Sequence, residues 1–118
     1  MPNKNYNSGR NFEYRVKKYL ESKGYLESKG YLVFRSAGSH SIADLIAFPK
    51  SSWQFSTLLI QCKHHGKISK VELKKGSNAE QKHDFIFVVA EMKKRKLVFS
   101  KIVYFNKTKM TLYETKMI

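Results

Sequence analysis

Two apolar runs decide the fold: Ala43-Asp44-Leu45-Ile46-Ala47-Phe48 and Leu58-Leu59-Ile60-Gln61-Cys62-Lys63. Both runs are rich in Ile, Leu and Phe, which is typical of β-strands. Because alternate residues of a strand point to the same face of a sheet, Gln61 and Lys63 face one way and Cys62 the other. If the two runs pair, the carboxylate of Asp44 converges with the Gln61 amide and the Lys63 ammonium on one side of the sheet.

This trio of polar groups has a recognisable chemistry. Carboxylate and amide oxygens are ligands that Mg²⁺ accepts. A lysine beside the metal can activate water or stabilise the negative charge that develops during hydrolysis. The pattern therefore predicts metal-assisted chemistry on an anionic substrate.

The charge of the chain points to the kind of anion. The sequence has 23 Lys and Arg against 9 Asp and Glu, a formal net charge of +14 on 118 residues. Such an excess favours nucleic acid or an anionic membrane surface as the partner. No apolar run approaches the roughly 20 residues of a membrane span. A merely soluble basic protein, or a structural binder of the ribosomal type, remains an alternative.

Length and composition bound the architecture. The chain is expected to form one domain over residues 1–118, with enough apolar sequence (42%) to build a core. Cys62 is the one cysteine, so an intrachain disulfide and a zinc cluster of cysteines are excluded, and Cys62 is expected in the core. The polar N-terminus lacks a signal-peptide pattern, and we expect an intracellular protein.

The N-terminal region predicts a flexible arm followed by a helix. Residues 1–8 are polar and form the expected arm. Ser8 can cap a helix whose apolar stripe is spaced three and four residues apart, at Phe12, Val16, Tyr19 and Leu20. Arg10 and Arg15 lie off this stripe and are candidates for contacts with DNA phosphates.

Glu13 is an acid in the first turns of this basic helix, and two interpretations stand side by side. On spacing alone it complements the helix dipole or pairs with Lys17 at i+4. The alternative is a carboxylate aimed into the polar trio. The spacing favours the first interpretation.

A tandem duplication follows within residues 19–30. The segment Tyr19-Leu20-Glu21-Ser22-Lys23-Gly24 recurs unchanged as residues 25–30. Two copies do not make a repeat protein. Either the helix continues to about Lys29 or one copy bulges out, and the helix-forming residues favour continuation.

Further along, short apolar runs predict strands at 31–34, 85–90, 97–105 and 110–114, with the run at 85–90 buried on both faces. Residues 49–56 form the tip of a hairpin, and 93–96 a basic turn. A helix over 69–82 is expected to be interrupted at Gly76. The polar loop at 35–41 suits a close approach to a phosphate backbone, with Ser36, Ser39 and His40 as candidate contacts.

These residues resemble the archaeal Holliday junction resolvases of the PD-(D/E)xK nuclease superfamily. The matching pieces are Gly9, Glu13, the run Gly-Tyr-Leu-Val-Phe-Arg-Ser-Ala-Gly-Ser at 30–39, Asp44 and the Leu-Ile-Gln-Cys-Lys strand at 59–63. The resemblance covers a bit over half of the chain once one copy of the duplicated segment is removed. It implies an α/β, restriction-endonuclease-like fold, in which helices flank a central mixed β-sheet and a long N-terminal helix leads the chain.

The resemblance also assigns roles. It implies that Glu13 reaches the active site from the first helix, that Asp44 binds metal and that Lys63 is the catalytic lysine. Arg35 matches an arginine that contacts DNA, and Ser36 and Ser39 match a loop beside the site. Members of the family are homodimers that bind four-way DNA and cut two strands symmetrically with Mg²⁺ or Mn²⁺.

One departure from the family pattern concerns the metal site. Gln61 stands where the family has an acid, so the expected ligand set is Asp44, Gln61 and Glu13. An amide oxygen can ligate Mg²⁺ but brings no charge, which should lower the affinity for metal. Two alternatives to a junction resolvase therefore stay open: another nuclease of the same fold, and a DNA-binding relative that does not cut.

Overall fold

The structure is a computed structural model that describes residues 4–22, 31–36, 43–49, 57–64, 67–106 and 109–115; of these, residues 4–8, 22, 31 and 49 are described by their backbone alone. The elements in chain order are α1 (Lys4–Ser22), β1 (Tyr31–Arg35), β2 (Leu45–Pro49), β3 (Thr57–Lys63), α2 (Lys70–Lys82), β4 (Phe85–Lys93), β5 (Lys96–Tyr104) and β6 (Met110–Thr115). The six expected strands are all present. Within the described part of the chain, neither helix has the length and apolar character of a membrane span.

The strands form one six-stranded sheet in which their spatial order equals their order in the chain. β2 and β3 pair antiparallel, as the two opening runs predict, and Leu45 lies opposite Ile60. β3 and β4 are parallel, while the other neighbouring strands are antiparallel. A parallel pair needs a crossover connection, which α2 supplies. The predicted mixed sheet flanked by helices is confirmed.

The sheet separates two apolar cores. The apolar stripe of α1 packs on one face and forms the first core with buried residues of five strands: Phe12, Val16, Leu20, Val33, Leu45, Ala47, Leu58, Ile60, Val88, Ala90 and Phe99. The other face packs against α2 and forms the second core: Ala43, Leu59, Ala79, Phe87, Val89 and Ile102. Alternate residues of β4 thus enter opposite cores, which confirms a strand buried on both faces.

The start of α1 differs from the expected arm. The helix already begins at Lys4, so residues 4–8 continue the helix rather than precede it. The segment contains no proline, and once packing fixes the later turns, each added residue gains a backbone hydrogen bond. The described helix ends at Ser22, and the expected continuation to about Lys29 lies outside the described residues, as does the hairpin tip at 50–56.

The expected interruption at Gly76 is wrong, because α2 runs without a break through Gly76. A Cβ built on this glycine would lie 2.6 Å from three atoms of the Phe87 ring. The absence of a side chain at Gly76 therefore lets α2 pack closely against the sheet, where Phe87 is fully buried. The residues next to Gly76 in the sequence give no information about this contact, because Phe87 belongs to a different element.

Candidate functional site

Backbone hydrogen bonds fix Asp44 at the end of β3. Its N–H donates to the carbonyl oxygen of Ile60 at 2.9 Å, and its own carbonyl oxygen accepts from the N–H of Ser36 at 2.8 Å. Carboxylate oxygen Oδ2 accepts from the N–H of Cys62 at 2.8 Å. The carboxylate therefore lies beside the segment that contains Gln61 and Lys63.

The alternation expected for β3 is observed. Cys62 packs against the first core, whereas Leu59 belongs to the second. Gln61 and Lys63 therefore lie on the α2 side of the sheet, because they alternate with Cys62. In the parallel register with β4, Gln61 lies opposite Val89 of the second core.

Lys63 has an anionic partner that comes from α2. Its ammonium Nζ lies 2.8 Å from Oε2 of Glu72 and 2.9 Å from Oε1. Glu72 also closes a capping box at the start of α2: its Oε1 accepts from the Ser69 N–H at 3.2 Å, and its own N–H donates to the Ser69 hydroxyl at 3.1 Å. Burial acts to raise the pKa of Glu72, but the hydrogen bonds from Lys63 and Ser69 outweigh it and hold the pKa below its usual value.

Glu13 reaches the same region from α1. The helix crosses the end of β3, where the rings of Phe12 and His64 pack with centroids 5.2 Å apart. The Glu13 carboxylate accepts a hydrogen bond of 2.7 Å from Nε of Arg35, at the end of β1. Glu13 of α1 is thus paired with an arginine from the sheet.

The pairing of Glu13 with Lys17, which spacing alone favours, is wrong. Lys17 instead pairs with Glu21 at i+4, with a distance of 3.4 Å between Nζ and Oε2. The i+4 rule identified the correct kind of pair but not the correct partner, since both acids are four residues from Lys17.

Burial and several neighbouring charges act together on the pKa of Asp44. Burial raises this pKa, and the hydrogen bond from the Cys62 N–H acts in the opposite direction. The nearby carboxylates of Glu13 and Glu72 raise it further, while Lys63 lowers it. Acid and base groups from α1, β3 and α2 thus surround one partly buried carboxylate.

Tyr14, which the sequence did not single out, lies between two arginines beside this cluster. The guanidinium carbons of Arg10 and Arg35 lie 5.5 Å and 5.8 Å from its ring centre, and Arg10 donates a hydrogen bond of 3.3 Å to its hydroxyl. This hydrogen bond lowers the pKa of the Tyr14 phenol. The ring is 45% exposed, so it is accessible for stacking.

The other predicted DNA contacts have different placements. Ser36 directly follows β1 and is tied to Asp44, whereas Arg15 is exposed on α1. Ser39 and His40 lie outside the described residues. Among the residues that are described, no three His, Cys, Asp or Glu side chains form a group that could hold a metal by themselves.

The predicted basic turn is confirmed, and it lies at the same edge of the sheet as Lys63. Lys94 and Arg95 join β4 to β5 in a two-residue turn, with positive φ angles of 49° and 66°. Because β3 and β4 are parallel and Lys63 lies opposite Glu91, this turn extends from the same edge of the sheet as Lys63. The sequence predicted the turn but not its place at this edge of the sheet.

The fold has a known counterpart. No protein-family model matches the chain, and no curated protein matches it. Among solved structures, the chain is similar to Hjc, a Holliday junction resolvase from the archaeal hyperthermophile Archaeoglobus fulgidus. The TM-score is 0.60 with 17% identity, over 92% of this chain and 85% of the other. The chain therefore shares the fold of an archaeal Holliday junction resolvase.

Proposed function

We propose that the chain is a divalent-metal-dependent endodeoxyribonuclease that resolves four-way DNA junctions as a homodimer. The observation that carries the proposal is the 2.8 Å hydrogen bond from the Cys62 N–H to the Asp44 carboxylate, which places this carboxylate beside Gln61 and Lys63 at the end of β3. This site lies in a fold shared with a Holliday junction resolvase. A formal net charge of +14 matches a polyanionic substrate.

The donor set fits Mg²⁺, with Mn²⁺ as a substitute. Asp44, Gln61 and Glu13 would hold the metal through two carboxylates and one amide oxygen. Burial and neighbouring carboxylates destabilise the ionised form of Asp44, so this group gains from a nearby cation. When bound, the metal polarises a phosphoryl oxygen and lowers the pKa of the attacking water.

Lys63 acts on the reacting phosphate. Its ammonium orients the attacking water or stabilises the negative charge that develops on the phosphoryl oxygens. The water oxygen bonds to phosphorus while the P–O bond to one sugar breaks. The leaving oxygen takes up a proton, and the products are a phosphomonoester and a hydroxyl.

The basic surface holds the DNA by its backbone. Arg10, Arg15, Arg35 and Ser36 would supply phosphate contacts, and the same role is proposed for Ser39 and His40. Such contacts carry no sequence information, so selectivity comes from the shape of the branch. A homodimer would present two sites to opposing strands.

Gln61 favours a second candidate, a DNA-binding relative that does not cut. The amide adds no negative charge beside Asp44, which weakens metal binding compared with a carboxylate. Another nuclease of the same fold is the remaining alternative, and preference for a junction over a duplex separates it from a resolvase.

The test compares cleavage of a labelled four-way junction with cleavage of a matched linear duplex, in Mg²⁺ and in Mn²⁺. Wild type is measured beside Asp44→Asn and Gln61→Glu. We expect wild type to cut the junction and Asp44→Asn to bind it without cutting. If wild type binds but never cuts and Gln61→Glu cuts, the binding relative is correct. If no variant distinguishes the junction from the duplex, the resolvase proposal is wrong.

A further inference from the structure

We propose that Glu72 is a positioning residue of the nuclease site, which holds the Lys63 ammonium in place where position 61 supplies no carboxylate. The inference rests on the proposed function. It adds a residue from α2 to a site otherwise built from α1, β2 and β3.

The geometry of the pair is specific. Both carboxylate oxygens of Glu72 lie within hydrogen-bond distance of Lys63 Nζ, at 2.8 Å and 2.9 Å. The side chains are 22% and 33% exposed, so the pair is more shielded than an ordinary surface ion pair. An ammonium has three N–H donors. A single carboxylate does not take up all three of them, so Lys63 can bind Glu72 and still donate to a water or a phosphate oxygen.

Lysine needs such an anchor more than arginine does. Its ammonium is a point charge on a flexible stem of four carbons, which leaves its position poorly defined without a partner. Gln61 lies on the same face two residues earlier, but its neutral amide attracts an ammonium weakly. Glu72 provides the negative charge from the first turn of α2, and the Ser69 backbone N–H, which Ser69→Ala retains, donates a hydrogen bond of 3.2 Å to its carboxylate.

A structural role in helix capping is the competing explanation, and the chain allows the two roles to be separated. Glu72→Gln keeps an oxygen that can accept from the Ser69 N–H but removes the charge. Ser69→Ala removes the cap and leaves the Glu72 charge in place. Glu72→Asp keeps the charge on a shorter side chain and tests partial rescue.

The first measurement is the single-turnover cleavage rate at saturating junction in Mg²⁺, with the melting temperature of each variant. We expect Glu72→Gln to lower the rate about 10- to 100-fold, the range typical of residues that orient a catalytic group. Ser69→Ala should lose about 4 °C in melting temperature and keep its rate within about twofold. Glu72→Asp should recover part of the rate.

Three further readouts decide how Glu72 acts. In a Lys63→Met background, Glu72→Gln should cause no further loss of rate, because the residue acts through Lys63. A lysine ammonium signal seen by NMR in the wild-type protein and in Ser69→Ala should shift or vanish in Glu72→Gln. Mn²⁺ titration should give similar affinities for wild type and Glu72→Gln.

The outcomes separate this inference from the proposed function. If wild type cuts the junction and Glu72→Gln cuts equally fast, the positioning role is wrong and the nuclease stands. If Glu72→Gln loses Mn²⁺ as strongly as Asp44→Asn does, Glu72 is a metal ligand and the positioning role is again wrong. If wild type cuts no DNA, both proposals are overturned.

Discussion

Replacing the β4–β5 turn should make the protein more stable and at the same time weaken its binding to DNA. Lys94 and Arg95 adopt φ angles of 49° and 66°, which favour asparagine and glycine in a two-residue hairpin. The left-handed conformation costs a residue with a side chain roughly 1–2 kcal/mol. Part of the gain is lost to the greater unfolded-state freedom of glycine. Lys94→Asn with Arg95→Gly should therefore stabilise the fold by about 1 kcal/mol.

The same double substitution removes two positive charges from the sheet edge that carries Lys63. If both side chains contact phosphates, the slope of log K against log salt should fall by about 1.8, and affinity at 0.15 M salt by about 30-fold. The assays are urea unfolding and junction binding in Ca²⁺ over a series of salt concentrations. A turn that contacts DNA must change stability and affinity in opposite directions.

A matched control removes two lysines from the opposite edge. Lys82 ends α2 just before β4 begins, and Lys109 precedes β6 at the far end of β5. Lys82→Gln with Lys109→Gln should leave the salt slope nearly unchanged. If the control weakens binding as much as the turn variant, or if the turn variant gains stability and keeps its affinity, the placement of DNA at the Lys63 edge is refuted.

Three further predictions follow from packing and charge. Gly76→Ala should destabilise the protein by about 1–2 kcal/mol in urea unfolding, because overpacking against Phe87 exceeds the gain in helix propensity. The control Gly9→Ala, whose new Cβ has nothing within 4 Å, should stabilise the protein by about 0.5–1 kcal/mol. Equal effects of the two substitutions would contradict the close packing at Gly76. Burial and the carboxylates of Glu13 and Glu72 raise the pKa of Asp44, so the metal-free folded state holds this proton to higher pH than the unfolded state. In EDTA, the stability that this proton contributes should be fully present below about pH 4 and be lost as the pH rises through the raised pKa of Asp44. Asp44→Asn should then melt higher than wild type at neutral pH, and a lower melting temperature would contradict the buried charge. If the exposed Tyr14 ring stacks on a base at the branch point, Tyr14→Ala should weaken junction binding about tenfold and Tyr14→Phe should not. Equal losses would assign the effect to the hydroxyl.

The sequence alone was sufficient to predict the strands and the faces on which the β3 side chains of the site lie. Alternation along β3 correctly separated Cys62 from Gln61 and Lys63, because the period of two is a property of the strand itself. The fully apolar run at 85–90 likewise identified a strand between two cores. Asp44 was expected beside these groups because two apolar runs with a polar interruption pair readily in a sheet.

Contacts between distant elements could not be read from the pattern. The Ser69-x-x-Glu72 spacing indicates a capping box, but the pairing of Glu72 with Lys63 depends on how α2 returns across the sheet. The sequence around Gly76 predicts a break in the helix, since the contact of Gly76 with Phe87 of β4 is invisible in the local pattern. Glu13 likewise pairs with Arg35 of β1 rather than with a residue four positions along its own helix, and this contact between distant elements is also absent from the local pattern.

The central claim is tested most directly by mapping the cuts in a fixed four-way junction with each of its four strands labelled in turn. The wild-type protein in Mg²⁺ should make paired cuts at symmetric positions in two opposing strands, and Asp44→Asn should make none. Cuts distributed over all four strands, or equal cutting of a linear duplex, would contradict this claim.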